Sequence, residues 1–210
     1  MKERYPLRKE PQQKRSKRLY ERILQAAEEV LIRLGYGAFT SNTVAEEAGI
    51  SIGSVYQYFP DKKTIVIHML DSKITAVHAG IRAELEKIDT SLTLLEFTSR
   101  AMEIGLLAWE REPVFSTLSK LSEFDISHDI ELWVEEFISI FIIEYNVEQR
   151  QPSPLALRLI CESIAHIVVK HAIEGKSEIP KTILARLAAD MITRFLFETP
   201  DKSVAALTKP

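Results

Sequence analysis

TSNTVAEEAGISIGSVYQYFPDK, residues 40–62, decides how this 210-residue chain is read. Ala45, Gly49 and Val55 stand in it at spacings of four and six. Where two helices cross at close range the contact needs a tiny side chain, and Ala45 supplies one. A short turn between helices needs a residue that accepts positive φ, which suits Gly49. The second helix needs an aliphatic side chain pointing back into a small core, which suits Val55. Together these requirements describe a helix-turn-helix, whose second helix lies in the major groove of DNA. The pattern predicts binding to double-stranded DNA.

Working outward, helical periods recur and no strand signal interrupts them. Leu19, Ile23, Ala26, Ala27, Val30, Leu31 and Leu34 form one apolar face, ended by Gly35 as a left-handed cap. Thr40 or Ser41 caps a short helix to about Ala48, and Ser51 caps the next to about Tyr58. Asp61 opens a long helix through Ile88, and Asp89-Thr90-Ser91 breaks it. Further helices are predicted with Leu95–Trp109, from Pro113 to near Leu121, over 125–147, over 154–174 and over 181–198. The fold class is all-α with about nine helices. The expected organisation is a basic arm at 1–13 and a DNA-binding domain at 14–60. A ligand-binding and dimerisation domain at 61–200, with 61–88 as linking helix, precedes a flexible tail at 201–210.

Charge is unevenly spread. Residues 1–75 hold 13 Lys/Arg against 9 Asp/Glu, while residues 76–210 hold 14 against 21. Residues 2–18 alone carry eight basic and two acidic side chains. A basic front and an acidic body suit a protein that meets a polyanion with one end. The arm itself admits two readings: a solvated disordered tail, or a segment that contacts phosphate or the minor groove. Cys161 is the only cysteine, which excludes an intrachain disulfide and cysteine-based zinc sites. The longest notable apolar run, Phe137–Ile143, is far too short to cross a bilayer, and no apolar stretch follows the basic N-terminus as in a signal peptide. A cytoplasmic location with no membrane partner is expected. No cofactor and no metal are called for.

The N-terminal block resembles the tetracycline-repressor (TetR) family of bacterial transcription regulators. The matching pieces are Ala26-Ala27, GYGAFT at 35–40, and VAEEAGISIGSVYQYFPDK at 44–62. Within the last piece Val44-Ala45, Ala48-Gly49, Gly53-Ser54 and Tyr56-Gln57-Tyr58-Phe59 with Lys62 match the family pattern. Ile52, Ser41 and Lys63 depart from it, standing where a polar, an aliphatic and an acidic residue are usual, which leaves the operator sequence open.

The residues themselves suggest roles. Thr40, Tyr56, Tyr58 and Lys62 are candidates for phosphate. Phenol hydroxyls can donate to phosphate oxygens while the rings pack on sugar, and Lys62 sits in a helix first turn whose amides also face an anion. Asn42, Thr43, Ser51, Ile52, Ser54 and Gln57 are candidates for base readout; Gln57 can pair bidentately with adenine and Ile52 can touch a thymine methyl. Gly53 serves either close DNA approach or tight helix packing.

The resemblance further implies that the last two helices pair with their copies in a homodimer, with Ile160, Ile164, Ile167, Leu184, Leu187 and Met191 at the interface. The same apolar faces also suit an intrachain core. A dimer would seat its two reading helices on half-sites of a palindromic operator. The middle helices carry many aromatics, which taken alone suit a core. The resemblance makes them a pocket for a small apolar ligand, with Trp109, Phe115, Trp133 and Phe137 as the expected lining. No phosphate-binding glycine loop, H-E-x-x-H motif or nucleophile elbow is present, so no enzyme is expected.

Overall fold

Every element among the described residues of the computed structural model (5–89, 91–121, 124, 130, 134, 154–174 and 178–197) is helical. Eight α-helices follow in order: α1 (Lys14–Ala38), α2 (Ser41–Glu47), α3 (Ile52–Tyr56), α4 (Lys62–Leu85), α5 (Leu94–Glu110), α6 (Pro113–Leu118), α7 (Pro154–Ile167) and α8 (Lys181–Phe197). The helix expected over 125–147 falls outside the described residues, apart from Ile130 and Val134, which are helical and buried. The chain divides into two compact units. The first comprises Met1–Val77 and Pro113–Phe124, the second His78–Glu112 and Asp125–Pro210.

In the first unit, α1 buries Ile23, Ala27, Val30 and Leu31 and packs against α2 and α6. Gly35 adopts φ 69°, so the helix kinks there instead of running on. A side chain at such an angle is strained, which is why glycine suits the position. The kink brings Tyr36 beside Phe39, ring centroids 6.3 Å apart, and edge-on to Phe124 at 5.0 Å. In the first half of α4 every residue from Thr64 to Leu70 is buried, so this stretch is a central strut rather than an amphipathic surface helix. The unit reaches beyond residue 60, where the motif alone placed the boundary, because this strut is part of its core.

In the second unit, α5 begins with a capping box. Glu96 N–H donates to Thr93 Oγ1 (3.4 Å), and Thr93 N–H and Oγ1–H donate to Glu96 Oε2 (3.0 and 2.6 Å). These bonds, the hydroxyl's first, hold the Glu96 carboxyl below the usual carboxylate range. α5 and α8 form the most extensive helix pair of the unit, joined at one end by the Lys181–Glu110 ion pair. α7 passes without a break into a π-helical turn, Val168–Ile173, which packs on α5. No helix among the described residues is long and apolar enough to cross a membrane.

Candidate nucleic-acid interface

The two short helices of the motif owe their ends to hydroxyl caps. At α2, Thr43 N–H donates to Thr40 Oγ1 (3.1 Å) and Thr40 N–H donates back to Thr43 Oγ1 (3.0 Å). At α3, Ser54 N–H donates to Ser51 Oγ (3.3 Å), and the two hydroxyls lie 2.9 Å apart. Between them Gly49 turns the chain at φ 60°. A Cβ built there would stand 3.0 Å from Arg22 Nη2, because the α1 guanidinium lies over the turn. Ala45 and Val55 are buried where the two helices meet. α4 is capped by Asp61, whose Oδ1 accepts from Thr64 N–H (2.7 Å) and Thr64 Oγ1–H (2.9 Å).

The expected contact residues do not share one environment. Tyr56 is 41% exposed, and Asn42, Gln57, Thr40 and Ser51 are exposed beside it in sequence on α2, α3 and their caps. Thr43, Ile52 and Ser54 are half-buried. The hydroxyls of Thr40, Thr43, Ser51 and Ser54 are already engaged in capping, so each can offer a nucleic acid only its remaining hydrogen-bonding capacity. Tyr58 is a correction. It is 4% exposed, edge-on to Tyr20 with centroids 6.4 Å apart, so its ring is part of the core and cannot pack on a sugar. The physical reason is the tight turn after α3: Phe59 N–H and Tyr58 N–H both bond to Val55 C=O, which carries Tyr58 inward. Lys62 holds its ammonium 4.2 Å above the Tyr36 ring and donates to Tyr36 C=O at 3.4 Å, using one of three donors. Gly53 is exposed, and a Cβ there would meet only Ser51 Oγ at 3.8 Å, an ordinary contact. Tight helix packing therefore does not explain this glycine.

Three features of the unit have no signal in the local sequence pattern. The Arg22 guanidinium covers the Gly49 turn. The arm residues from Tyr5 onward, expected free of the domain, are tied to it, with Arg8 N–H donating to Tyr58 C=O at 2.8 Å. Buried His68 bridges Tyr20 and the arm. Its Nδ1 lies 3.0 Å from Tyr20 Oη and its Nε2 2.9 Å from Tyr5 C=O. A carbonyl only accepts, so Nε2 carries the proton and Nδ1 accepts from the phenol. Burial first, then the charges of Asp71 and Glu10, push Tyr20 up to about 12, which keeps that phenol a donor. These partners lie 48 to 63 residues apart, beyond any helical period.

Half of the expected ligand lining lies among the described residues. Trp109 is buried in the second unit and Phe115 in the first, while Trp133 and Phe137 lie outside the described residues. The expected dimer residues divide as well. Ile160, Ile164 and Leu184 are buried inside the second unit and Ile167 is half-buried, whereas Leu187 and Met191 are exposed. Each of these helices has two apolar rows about 100° apart, and periodicity does not say which row faces inward. On α8 the outward row is Ile183, Leu187, Met191 and Phe195; on α7 it includes Leu155 and Leu159.

A helix-turn-helix with hydroxyl caps, a left-handed glycine turn and exposed polar groups on its second helix defines a DNA-reading module. The model of the family described as bacterial regulatory proteins, tetR family, matches residues 23–69. The HTH-type transcriptional repressor KstR of Mycobacterium tuberculosis is 30% identical over 112 residues, 50% of this chain and 51% of that protein. The fatty acid metabolism regulator protein of Bacillus subtilis is 37% identical over 62 residues, covering 30% and 31% of the two chains. The chain thus spans about half the length of the first of these relatives and a third of the second. The solved structure of the transcriptional regulator FadR from Bacillus subtilis, in complex with stearoyl-CoA, shares the fold. It has a TM-score of 0.58 at 16% identity, over 86% of this chain and all of that one. Over residues 23–69 the chain is thus similar to the tetR family of bacterial regulatory proteins.

Proposed function

We propose that this protein is a ligand-responsive transcriptional repressor that binds a palindromic operator as a homodimer and is released by a small, mainly apolar effector. The observation that carries the DNA-binding part is the α2–α3 unit, which turns Asn42, Tyr56 and Gln57 outward and leaves Gly53 exposed, with room for a Cβ that would meet only Ser51 Oγ. One reading helix of five residues is too short to specify a site alone, so two copies about 34–36 Å apart are required. The outward apolar row of α8, Ile183, Leu187, Met191 and Phe195, with Leu155 and Leu159 of α7, suits the pairing surface. An exposed apolar surface of this kind favours association. Phosphate contacts fall to Thr40, Tyr56 and Lys62, and base contacts to Asn42, Thr43, Ser51, Ile52, Ser54 and Gln57.

The second unit would hold the effector. Ser99 Oγ on α5 and His171 Nδ1 in the π-helical turn are buried polar atoms without a hydrogen-bond partner among the described residues, and these two elements pack on each other. Buried polar groups left unpaired call for an explanation, and π-turns occur often at functional sites. A ligand with an apolar body and a polar group fits both. One relative is named a fatty acid metabolism regulator, and the solved structure of FadR that shares this fold holds stearoyl-CoA, so a long-chain fatty acyl-CoA is the effector class to test. Helix α4 starts at the Asp61 cap in the first unit and continues past Val77 into the second, and it is the natural lever between effector and DNA. The effector shifts the equilibrium only by its differential affinity for the two states. The protein would act in the cytoplasm, on the nucleoid when DNA-bound.

The test is a gel shift of the purified protein with the intergenic DNA upstream of its own coding sequence, repeated across salt and then with acyl-CoA added. Each neutralised phosphate contributes about 0.9 to the slope of log affinity against log salt. A steep loss with salt, and release by acyl-CoA, are expected. Salt-independent binding would remove the DNA reading. Unchanged affinity at saturating acyl-CoA would remove that effector class.

A further inference from the structure

The segment from Tyr5 to Pro11 carries none of the helix-turn-helix pattern, yet two anchors hold it against the first unit. Tyr5 C=O accepts from His68 Nε2–H at 2.9 Å, and His68 is buried and fixed in that tautomer by the Tyr20 phenol. Three residues on, Arg8 N–H donates to Tyr58 C=O at 2.8 Å. Between fixed points so close together the backbone has little freedom, so the fold sets the point from which the Arg8 side chain leaves the chain. Its guanidinium carbon lies 5.9 Å from the centre of the Tyr56 ring, and Nη1 donates to Tyr56 C=O at a long 3.5 Å. The Arg8 side chain is exposed. A guanidinium has five N–H donors in a planar fork that matches two phosphate oxygens. The weak contact to Tyr56 C=O occupies one of them. The arm therefore delivers a permanent cation to the end of the reading helix, next to the exposed phenol already assigned to phosphate.

We infer that Arg8 is a DNA-backbone contact, paired with Tyr56 on the same stretch of phosphate, and that residues 5–11 form a strap held by His68 that positions it. The inference rests on the DNA-binding reading above. The competing role, a cap on the last turn of α3, needs only a donor to Tyr56 C=O, whereas a phosphate contact needs the charge.

Arg8→Gln keeps a donor and removes the charge; Arg8→Lys keeps the charge. The full-length protein and both variants are titrated with a random-sequence DNA duplex by fluorescence anisotropy, at salt concentrations from about 50 to about 200 mM. The expected result is a salt slope smaller by about 0.9 per protomer for Arg8→Gln, so that across that range the affinity of the dimer falls about 12-fold less than wild type. Arg8→Lys restores the wild-type slope. The slope counts released ions, so it reads the charge even if a variant melts a little earlier. Equal slopes for wild type and Arg8→Gln overturn the role of Arg8 and leave the DNA-binding reading standing. If the wild-type protein itself shows no salt-dependent binding, the parent reading falls and this inference with it.

Discussion

Gly49 and Gly53 sit four residues apart, and the structure predicts opposite outcomes when each is changed to alanine. Gly49 stands at φ 60°. An L-residue there costs roughly 1–2 kcal/mol from the clash of its Cβ with the following carbonyl. The new Cβ would also lie 3.0 Å from Arg22 Nη2, but that atom is the far end of a flexible exposed side chain and can swing away. Alanine stiffens the unfolded chain, which returns about 0.4–1 kcal/mol. The net loss for Gly49→Ala is therefore about 1 kcal/mol. At Gly53 no positive φ is involved, and the Cβ meets only Ser51 Oγ at 3.8 Å, so the same entropic gain appears unopposed. Gly53→Ala should stabilise by up to about 1 kcal/mol. Urea denaturation followed by circular dichroism resolves both. With a slope near 2 kcal/mol/M, the midpoint should move by about 0.5 M downward for Gly49→Ala and upward for Gly53→Ala. Affinity for DNA adds the functional half. If the DNA backbone approaches Gly53, the more stable variant binds DNA less well. A Gly49→Ala protein as stable as wild type would refute the turn geometry. A stabilised Gly53→Ala protein with undiminished DNA affinity would remove Gly53 from the interface.

Tyr20→Phe removes the donor that holds His68 Nδ1 and leaves a buried acceptor unpaired, which costs about 1–3 kcal/mol at neutral pH by thermal or urea melts. The same variant tests the alkaline limb. The phenol's folded value, about 12, lies above its ordinary 10, so its stabilisation is complete below pH 10 and is lost as pH rises through 12. Wild-type stability should fall more steeply than that of Tyr20→Phe over that window; parallel curves would contradict the buried phenol. Leu187→Glu, on the outward row of α8, should shift the protein from dimer to monomer in sedimentation velocity. Leu184→Glu, on the inward row, should unfold the second unit instead, and the same result for both would deny α8 two distinct faces. Tyr56→Phe should weaken DNA binding with little change in stability, because Tyr56 is exposed. Tyr58→Ala should lower stability by several kcal/mol, about 3–5 as for a buried aromatic ring. A Tyr56→Phe variant that binds DNA like wild type would take the phenol hydroxyl out of the phosphate grip.

Much of the DNA-reading unit is legible in residues 40–62 because its determinants are local. Thr40 and Ser51 cap helices that begin one residue later, Gly49 supplies a torsion that its neighbours cannot, and Ala45 and Val55 are small or aliphatic where two adjacent helices touch. Short-range sterics and hydrogen bonding are written in residue type and spacing. Tyr58 escaped that logic. A Tyr-x-Tyr pair looks symmetric in sequence, but the turn after α3 exposes one ring and buries the other.

The sequence by itself determined that the chain is helical, where its short helices begin, and that it carries a left-handed turn between two of them. Those features depend on torsions and bonds within a few residues. Only the tertiary structure decided which of two apolar rows on α7 and α8 faces inward, that Lys62 lies over Tyr36, and that Tyr5 and Arg8 return to His68 and the end of α3. Each of these depends on a partner that periodicity does not name. A 3.6-residue repeat states that a helix has an apolar face but not what covers it, and a basic arm reads as a solvated tail until a buried histidine is found holding its backbone.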